Sequence, residues 1–264
     1  MNDRMWNPKQ YERFKAEREL PFYDLLAMIE RDAPREGDAR GRKRVVDLGC
    51  GTGELTGVLH RELGASETLG VDSSAEMLAR ASKAEGVHFE KHDVATFTPE
   101  ASFDVVCSNA ALQWVDDHRR LFARLTEYVA PDGQFAVQMP ANFDYPTHVV
   151  ATEIAREAPF SDAGTSPFRT DFPLLAPEEY AQLLHDLGYT KQTVRLQVYA
   201  HLLPSRDEVV EWVKGSLLTA YRARLSPELY EQFLARYTER LLPQLPDAQP
   251  FFFPFKRILI WGRR

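Results

Sequence analysis

Three glycines at alternate positions, Gly49, Gly51 and Gly53, follow a short apolar run over residues 45–48. The run predicts a buried parallel strand, and a helical pattern begins at Glu54. Glycines let a backbone turn sharply and approach a ligand closely. A strand, a glycine loop and a helix N-terminus together suit a nucleotide-like ligand. The sequence therefore predicts an α/β fold with a ligand at the end of this strand.

The glycine spacing and two flanking acids narrow the ligand further. A dinucleotide fingerprint would place its third glycine at position 54, where this chain has Glu54. Asp47 precedes the loop, and Asp72 follows it by about 20 residues. An acid at the strand end suits a ligand that bears an ammonium group, such as S-adenosylmethionine. The order acid-x-Gly-x-Gly-x-Gly, then a second acid, resembles the first two motifs of class I S-adenosylmethionine-dependent methyltransferases.

Composition indicates a globular protein with a small-molecule partner. The chain has 264 residues, 44% hydrophobic and 27% charged, with 32 basic and 39 acidic side chains and a net charge of −7. This charge would repel nucleic acid and anionic membranes, so we expect neither as a partner. We also expect a cytoplasmic protein, because we find no signal peptide and no apolar run of about 20 residues. Cys50 and Cys107 are expected to be small core residues rather than a disulfide.

Strand and helix patterns alternate along the chain and predict a Rossmann-like, doubly wound, mostly parallel sheet of seven strands. The predicted strands are residues 45–48, 68–72, 87–90, 103–108, 134–139, 190–203 and 251–261. The predicted helices after the glycine loop include residues 117–129, 147–156, 177–187, 206–218 and 227–242. Ser205 and Ser226 are expected to cap the last two helices, and Pro131-Asp132-Gly133 to form the turn before the fifth strand.

We expect a single domain over residues 1–264 with a helical cap. Residues 8–31 predict two helices broken near Pro21, and the N-terminal segment 1–31 is positioned to act as a lid with Tyr11 and Arg18 facing inwards. Tyr11 and Phe14 alternatively form only a packing stripe. Segments 140–176 and 204–248 are expected to be cap insertions, on the side where a substrate approaches.

Several blocks outside the glycine loop carry a more specific resemblance. They are Trp6-Asn7-Pro8 with Tyr11, Phe14, Glu17 and Arg18; Gly70-Val71-Asp72-Ser73; Ser108-Asn109-Ala110 with Leu112-Gln113-Trp114; Ala136-Val137-Gln138-Met139-Pro140 with Asn142; Pro146-Thr147-His148; and Val210-Glu211-Trp212-Val213-Lys214-Gly215. With these blocks the chain resembles the trans-aconitate methyltransferases over nearly its whole length. These bacterial enzymes esterify a carboxylate of a small tricarboxylic acid. The resemblance implies S-adenosylmethionine as cofactor, S-adenosylhomocysteine as product and a small carboxylic acid as substrate.

The resemblance also implies roles for individual residues. An acid after the third strand, Asp93, would accept the adenine amino group, and the backbone of Val94 would meet the ring. The expected cofactor-binding residues are Tyr11, Arg18, Asp47, Gly49, Gly51, Gly53, Asp72, Ser73, Met77, Asp93, Val94, Asn109 and Trp114. The expected substrate-binding residues are Gln113, Trp114, Asn142, His148, Tyr199, His201, Trp212 and Lys214. Trp114, Trp212, His148 and His201 are alternatively packing residues without a direct role.

Two departures from the family pattern concern arginines. After Trp212 the family tends to read Gly-Leu-Arg-Pro, where this chain has Leu217-Leu218-Thr219-Ala220. Near the C-terminus the family tends to carry an arginine on each side of Phe-Pro, whereas this chain has Lys256 and Arg257 displaced after Phe252-Phe253-Pro254-Phe255. If the family arginines bind carboxylates, the pocket here would favour a less charged acid. Lys214, Arg222 and Arg224 are candidates to compensate.

The chemistry expected of this chain needs neither a general base nor a metal. A carboxylate with a reference pKa of about 4 is already ionised at pH 7, so we expect no side chain that acts as a catalytic base. His88 and His92 lack further ligands at metal spacing. Two alternatives stay open, namely a hydroxyl or amine acceptor and a non-catalytic cofactor-binding protein. Nucleic-acid amines are disfavoured because Asn109-Ala110-Ala111 lacks the Pro-Pro-aromatic that amino-methylating enzymes usually show.

Overall fold

The computed structural model describes residues 15–31, 43–81, 84–162 and 174–264. The described strands are β1 Arg44–Leu48, β2 Glu67–Asp72, β3 Val87–Lys91, β4 Phe103–Asn109, β5 Val129–Pro140, β6 Lys191–Leu203 and β7 Phe251–Arg263. The described α-helices are α1 Lys15–Met28, α2 Glu54–Leu63, α3 Ala75–Leu78, α4 His118–Thr126, α5 Pro146–Ala155, α6 Pro177–Asp186, α7 Glu208–Lys214, α8 Thr219–Arg224 and α9 Pro227–Leu241. Short 3₁₀ turns lie at Leu112–Trp114 and Leu242–Gln244.

The seven strands form one sheet in the order β3-β2-β1-β4-β5-β7-β6. Neighbours from β3 to β5 pair in parallel, and β7 runs antiparallel to β5. Parallel neighbours require crossover connections, which helices such as α2 supply, and their carboxyl ends meet at one edge of the sheet. This topology confirms the predicted doubly wound, mostly parallel fold.

The chain divides into two compact units. The sheet unit comprises Leu20–Pro140, Pro173–Gln197 and Arg257–Arg264. The helical unit comprises Met1–Glu19, Ala141–Phe172 and Val198–Lys256. The expected lid over residues 1–31 and the cap over 140–176 and 204–248 stay predictions.

In the sheet unit, helix α1 packs its apolar stripe into a core that includes Val45, Leu59 and Trp261. The helix runs through Pro21, so the break predicted near this residue is wrong within residues 15–28. A proline inside a helix costs about 3 kcal/mol, whereas each fully buried large apolar side chain contributes about 1.5–3 kcal/mol. The stripe buries four such side chains, which together outweigh the proline: Phe22, Leu25, Leu26 and Ile29.

The helical unit has its own core, built largely from aromatic side chains. The rings of Tyr221 and Phe233 stack with centroids 4.8 Å apart, and Trp212 meets Phe253 edge-on at 5.8 Å. Stacked and edge-on ring pairs stabilise a core beyond the area that they bury. Helix α9 adds Tyr237, whose hydroxyl donates to the Thr147 carbonyl at 3.1 Å.

Three predicted boundaries are wrong. The helix predicted over residues 117–129 is α4 and ends at Thr126. The fifth strand begins at Val129 rather than Gln134, because residues 131–133 stay in the strand as an irregularity, with Asp132 at φ 63°. The helix predicted over residues 206–218 is α7 alone, which ends at Lys214 with Gly215 as C-cap, and α8 follows separately.

Of the two predicted helix caps, one is confirmed and one is wrong. Ser226 accepts from the Leu229 amide and caps α9 as expected. Ser205 instead donates to Asp207 Oδ2 at 3.2 Å, and Asp207 is the N-cap of α7. Cys107 is a buried core residue, as predicted, while Cys50 is only partly buried in the glycine loop.

We expect Gly70→Ala to lower the free energy of unfolding by about 1–3 kcal/mol, because overpacking strains a filled core. A Cβ at Gly70 would lie 2.5 Å from the Phe89 ring. Gly57→Ala in α2 is the matched control, since its Cβ would meet nothing closer than Arg61 Nη1 at 3.8 Å. Urea unfolding should show no loss for the control, and equal losses in both variants would contradict the assignment.

Candidate active site

The glycine loop leaves β1 in a conformation that only glycine adopts readily. Gly49, Gly51 and Gly53 have φ values of 79°, 57° and 70°. A Cβ on Gly49 would lie 2.1 Å from Ala111 Cβ, and a Cβ on Gly53 would lie 2.3 Å from the Phe89 ring. No atom of the described residues lies within 4 Å of a Cβ built on Gly51. Two of the glycines thus permit close packing, and the middle one borders open space.

Asp72, the last residue of β2, holds this loop in place. Its Oδ2 accepts from the Gly51 amide at 2.9 Å, and its Oδ1 accepts from the Ser74 amide at 2.8 Å. Ser74 caps α3 by accepting from the Met77 amide. The carboxylate therefore links the loop after β1 to the turn after β2. Met77 is 37% exposed on α3.

Asp47, in β1, is buried directly beneath the loop. Its Oδ2 accepts from the Thr56 hydroxyl of α2 at 2.6 Å. Burial raises the pKa of this carboxyl to about 6, the Thr56 hydrogen bond opposes the rise, and the charge of Asp72 adds to it. Two carboxylates around one loop create a negative potential, which favours a cationic ligand.

The loop after β3 contains the two residues predicted to meet adenine. Asp93 Oδ1 accepts from the Ala95 amide at 2.8 Å, which closes a local turn. Val94 is buried, and its carbonyl accepts from Arg124 Nη2 at 2.6 Å. The turn is thus fixed both locally and by helix α4.

At the end of β4 the structure brings Asn109, Gln113 and Trp114 onto one connection. Trp114 is 49% exposed, whereas Gln113 is buried. Gln113 Nε2 donates to the Ala110 carbonyl at 2.7 Å, and no partner for its buried Oε1 lies in the described part of the chain. A buried acceptor without a partner costs free energy and marks a position where a ligand can donate.

Asn109 also joins a polar network across the sheet. With the Gln138 amide oriented to satisfy its neighbours, Nε2 donates to Asn109 Oδ1 at 2.8 Å and Oε1 accepts from Arg257 Nη1 at 3.2 Å. Gln138 is fully buried and Arg257 is 9% exposed.

Six residues predicted to bind substrate belong to the helical unit: Asn142, His148, Tyr199, His201, Trp212 and Lys214. Asn142 is fully buried and accepts from the Lys256 amide at 3.1 Å, while its Nδ2 has no partner in the residues described. His148 is buried, with Nδ1 3.0 Å from Thr147 Oγ1. Its ring meets Phe143 edge-on at 5.3 Å.

His201 and Trp212 form a ring pair in the helical core, with centroids 4.5 Å apart. Tyr199, on β6 near His201, is also buried. Lys214 pairs with Glu211 and lines a groove of about 610 Å³ between α7 and α9. The other charged residues of this groove are acidic: Asp207, Glu211, Glu231 and Glu239. This acidic setting disfavours a carboxylate ligand at Lys214.

Two predicted cofactor residues fall outside this description. Tyr11 lies outside the described residues, and only the backbone of Arg18 is described, within α1. The sheet unit contains the remaining predicted cofactor residues together with Gln113.

Sequence reasoning missed three residues that shape the site. Thr56 bonds the buried Asp47, Phe89 packs against two glycines, and Gln138 connects Asn109 to Arg257. A hydroxyl in the first turn of the helix after a buried acid was the available signal for Thr56. Phe89 and Gln138 depend on strand register, which becomes visible only once the strands are paired.

Neither a membrane span nor a metal cluster is found in the described residues. No helix among them is long and apolar enough to cross a membrane. No group of three or more His, Cys, Asp or Glu side chains in these ranges is arranged to hold a metal ion.

Comparison with known proteins gives a consistent result. The family described as a methyltransferase domain matches residues 16–194. The chain is 39% identical to the trans-aconitate 2-methyltransferase of Deinococcus radiodurans, with 98% of each chain covered. It is 38% identical to the trans-aconitate 2-methyltransferase of Mycobacterium sp. strain KMS, with 98% of this chain and 99% of the relative covered.

The fold is also found in solved structures. The YcgJ protein of Bacillus subtilis aligns with a TM-score of 0.57 at 17% identity, covering 92% of this chain and 98% of that chain. At this identity the likeness concerns the fold.

We expect Asp47→Asn to gain stability relative to the wild-type protein, both free of ligand, as the pH rises from 4 to 7. The pKa of Asp47 is raised in the folded state, so its favourable contribution is complete below the unfolded pKa near 4 and is lost as pH rises through about 6. Relative to wild type, the variant should gain on the order of 2–3 kcal/mol between pH 4 and pH 7. Urea unfolding across this range measures the difference.

Thr56→Val serves as the opposing variant for the same measurement. It removes the hydroxyl that stabilises the ionised Asp47, so its loss of stability should be larger at pH 7 than at pH 4. A stability difference that does not vary with pH in either variant would show that Asp47 does not titrate as described.

Proposed function

The chain belongs to the family of trans-aconitate 2-methyltransferases, within the S-adenosylmethionine-dependent methyltransferases, and on that premise we propose that it methylates a carboxylate of a small organic acid such as trans-aconitate. The products are a methyl ester and S-adenosylhomocysteine. The full-length likeness to curated relatives carries this proposal, because it includes the helical unit as well as the glycine loop. We further propose a bacterial, cytoplasmic enzyme that uses no nucleic acid, membrane or metal partner.

The residues around the glycine loop fit a cationic nucleoside cofactor. Gly51 borders open space, its amide donates to Asp72, and the buried Asp47 in β1 is a second carboxylate close enough to feel the charge of Asp72. Asp72 would hold the ribose hydroxyls, as an acid at the end of the second strand does in related nucleotide sites. Asp47 would stabilise the cofactor's ammonium group. S-adenosylmethionine supplies an electrophilic methyl group when it is bound.

The remaining cofactor assignments follow from position around the same loop. Asp93 and Val94 lie in a fixed turn after β3 and would meet the adenine. Asn109 and Trp114 lie beyond β4, while Ser73 and Met77 follow β2. Tyr11 and Arg18 stay predictions as further contacts from the N-terminal segment.

Each unit contains a buried amide with a polar atom that a ligand can satisfy. Asn142 Nδ2 is a donor and would stabilise a carboxylate oxygen, whereas Gln113 Oε1 is an acceptor and would meet a donor group. His148, Tyr199, His201, Trp212 and Lys214 stay predictions as substrate residues. The reaction draws on positioning and on exclusion of water, because the acceptor carboxylate is ionised at neutral pH without a base.

The direct test is transfer of labelled methyl from S-adenosylmethionine to trans-aconitate, with monocarboxylic acids, hydroxyl compounds and amines in parallel. We expect base-labile product with trans-aconitate, as an ester requires. The rate should not rise with pH through neutrality, since the nucleophile is already ionised. Base-stable product with a hydroxyl or amine acceptor, or no product at all, would reject carboxylate methylation.

The cofactor assignment is tested with Asp72→Asn. One oxygen of Asp72 becomes an NH₂ group that faces backbone donors, so we expect affinity for S-adenosylhomocysteine to fall by about 10- to 100-fold. Asp104→Asn is the matched control, because Asp104 also accepts from a backbone amide, that of Arg44 at 2.7 Å, in an exposed position. Calorimetric titration should leave the control unchanged; equal losses would assign Asp72 a purely structural role.

A further inference from the structure

A buried arginine lies at the edge of the sheet where parallel strands end. In the antiparallel pairing of β5 with β7, Arg257 is opposite Pro140, and Leu259 is opposite Gln138. Opposite residues share a face of a sheet, and so do residues two apart on one strand. Arg257 therefore lies on the same face as Gln138. In the pairing of β4 with β5, Asn109 is level with Gln138 and shares that face as well.

Along this face of β7, two apolar residues lie between two arginines. Leu259 and Trp261 are buried in the apolar core, and an arginine stands at each end of this stretch. Arg263, at the far end, pairs with Glu30 at 2.6 Å. Arg257, at the ligand edge, donates to Gln138, which in turn donates to Asn109. A chain of neutral amides thus orients this guanidinium relative to the end of β4.

The net charge of the chain and the burial of Arg257 both bear on the binding of an anion at this arginine. The chain carries a net charge of −7, so an acidic substrate needs a local cation to offset the overall repulsion. Arg257 is 9% exposed, and a cation in so dry a setting interacts with an anion more strongly than one in water does. Its planar fork also matches a carboxylate with two hydrogen bonds.

Three of the other basic residues considered as carboxylate partners have contacts within the helical unit. Lys256 pairs with Asp144, and Lys214 pairs with Glu211. Arg222 lies 6.0 Å from the centroid of the Tyr230 ring. These contacts belong to the helical unit, whereas Arg257 is connected to Asn109 of the sheet unit.

We propose that Arg257 binds a carboxylate of the acceptor that is not the one methylated, with Gln138 as the positioning residue for its guanidinium. The proposal rests on carboxylate methylation as the function of this chain. A carboxylate paired with a guanidinium has two of its four acceptor sites occupied and its charge offset, which lowers its nucleophilicity, so we expect the methylated group to be a second carboxylate. The site therefore selects acids with at least two carboxylates, and Arg257 discriminates among them by charge and spacing.

The test compares Arg257→Lys and Arg257→Gln with wild type on trans-aconitate, a dicarboxylic acid and a monocarboxylic acid. For the acids with two or more carboxylates we expect KM to rise by about 10- to 100-fold, with kcat changed only a few-fold. The Lys variant, which keeps the charge, should lose less than the Gln variant. For the monocarboxylic acid KM should not change, because its only carboxylate is the nucleophile. An equal rise for all acids would overturn the proposal.

Arg263→Lys is the control for a general effect of altering an arginine on β7. It should lower stability without changing the KM of any acid.

Gln138→Glu places a carboxylate against Arg257 and should raise KM for the polycarboxylic acids, since the internal anion competes with the substrate. Gln138→Met should raise it less. An unchanged KM in Gln138→Glu would overturn the positioning role.

Calorimetry separates failure of this inference from failure of the proposed reaction. Trans-aconitate is titrated into the protein saturated with S-adenosylhomocysteine, and S-adenosylhomocysteine affinity is measured first to show that each variant is intact. Binding that weakens in Arg257→Gln, without turnover in wild type, would retain Arg257 as a carboxylate-binding residue and reject the reaction. Equal binding by wild type and Arg257→Gln, or no binding by wild type, would overturn the inference.

Discussion

The two backbone hydrogen bonds accepted by the Asp72 carboxylate hold together the edge of the sheet where the parallel strands end and where we place the ligand. By accepting from the amides of Gly51 and Ser74, this carboxylate fixes the loop after β1 against the turn after β2. The carboxylate of Asp72 is also a second negative charge near the buried Asp47, and it contributes to the raised pKa of Asp47. A ligand-free site of this kind carries electrostatic strain, and a cationic ligand relieves it. Stability and ligand preference therefore originate in the same pair of acids.

On one face of the sheet, apolar side chains in the middle of the strands give way to polar side chains at the ends of the parallel strands. Below the edge, side chains such as Leu259 and Trp261 form a dry core. At the edge, Asn109, Gln138 and Arg257 form a connected network. Buried polar groups are stable only when they are satisfied together, so a network of this kind rigidifies the groups that meet a ligand. Burial of the apolar core stabilises the fold, and the hydrogen-bond network orients the polar side chains at the edge of the sheet.

The sequence predicted the sheet and the glycine loop because their signals are local: apolar runs, alternating glycines and helix caps such as Ser226. It did not predict the uninterrupted helix at Pro21, whose local cost is overcome by burial of distant partners. It likewise missed Phe89 and Gln138, whose neighbours are set by strand register rather than by spacing along the chain. The proposed roles in the helical unit came from a family resemblance, since no periodicity identifies them.

The position of β7 has a consequence for how the protein is made. This strand, Phe251–Arg263, lies between β5 and β6 in the finished sheet. During synthesis, β5 has emerged more than a hundred residues before its antiparallel neighbour, and its hydrogen-bonding edge waits without that neighbour for the whole interval. Pairings so distant in sequence close slowly, and an open strand edge invites association with other chains. The strand order therefore leaves this edge of β5 open to association with other chains until residues 251–263 have been made.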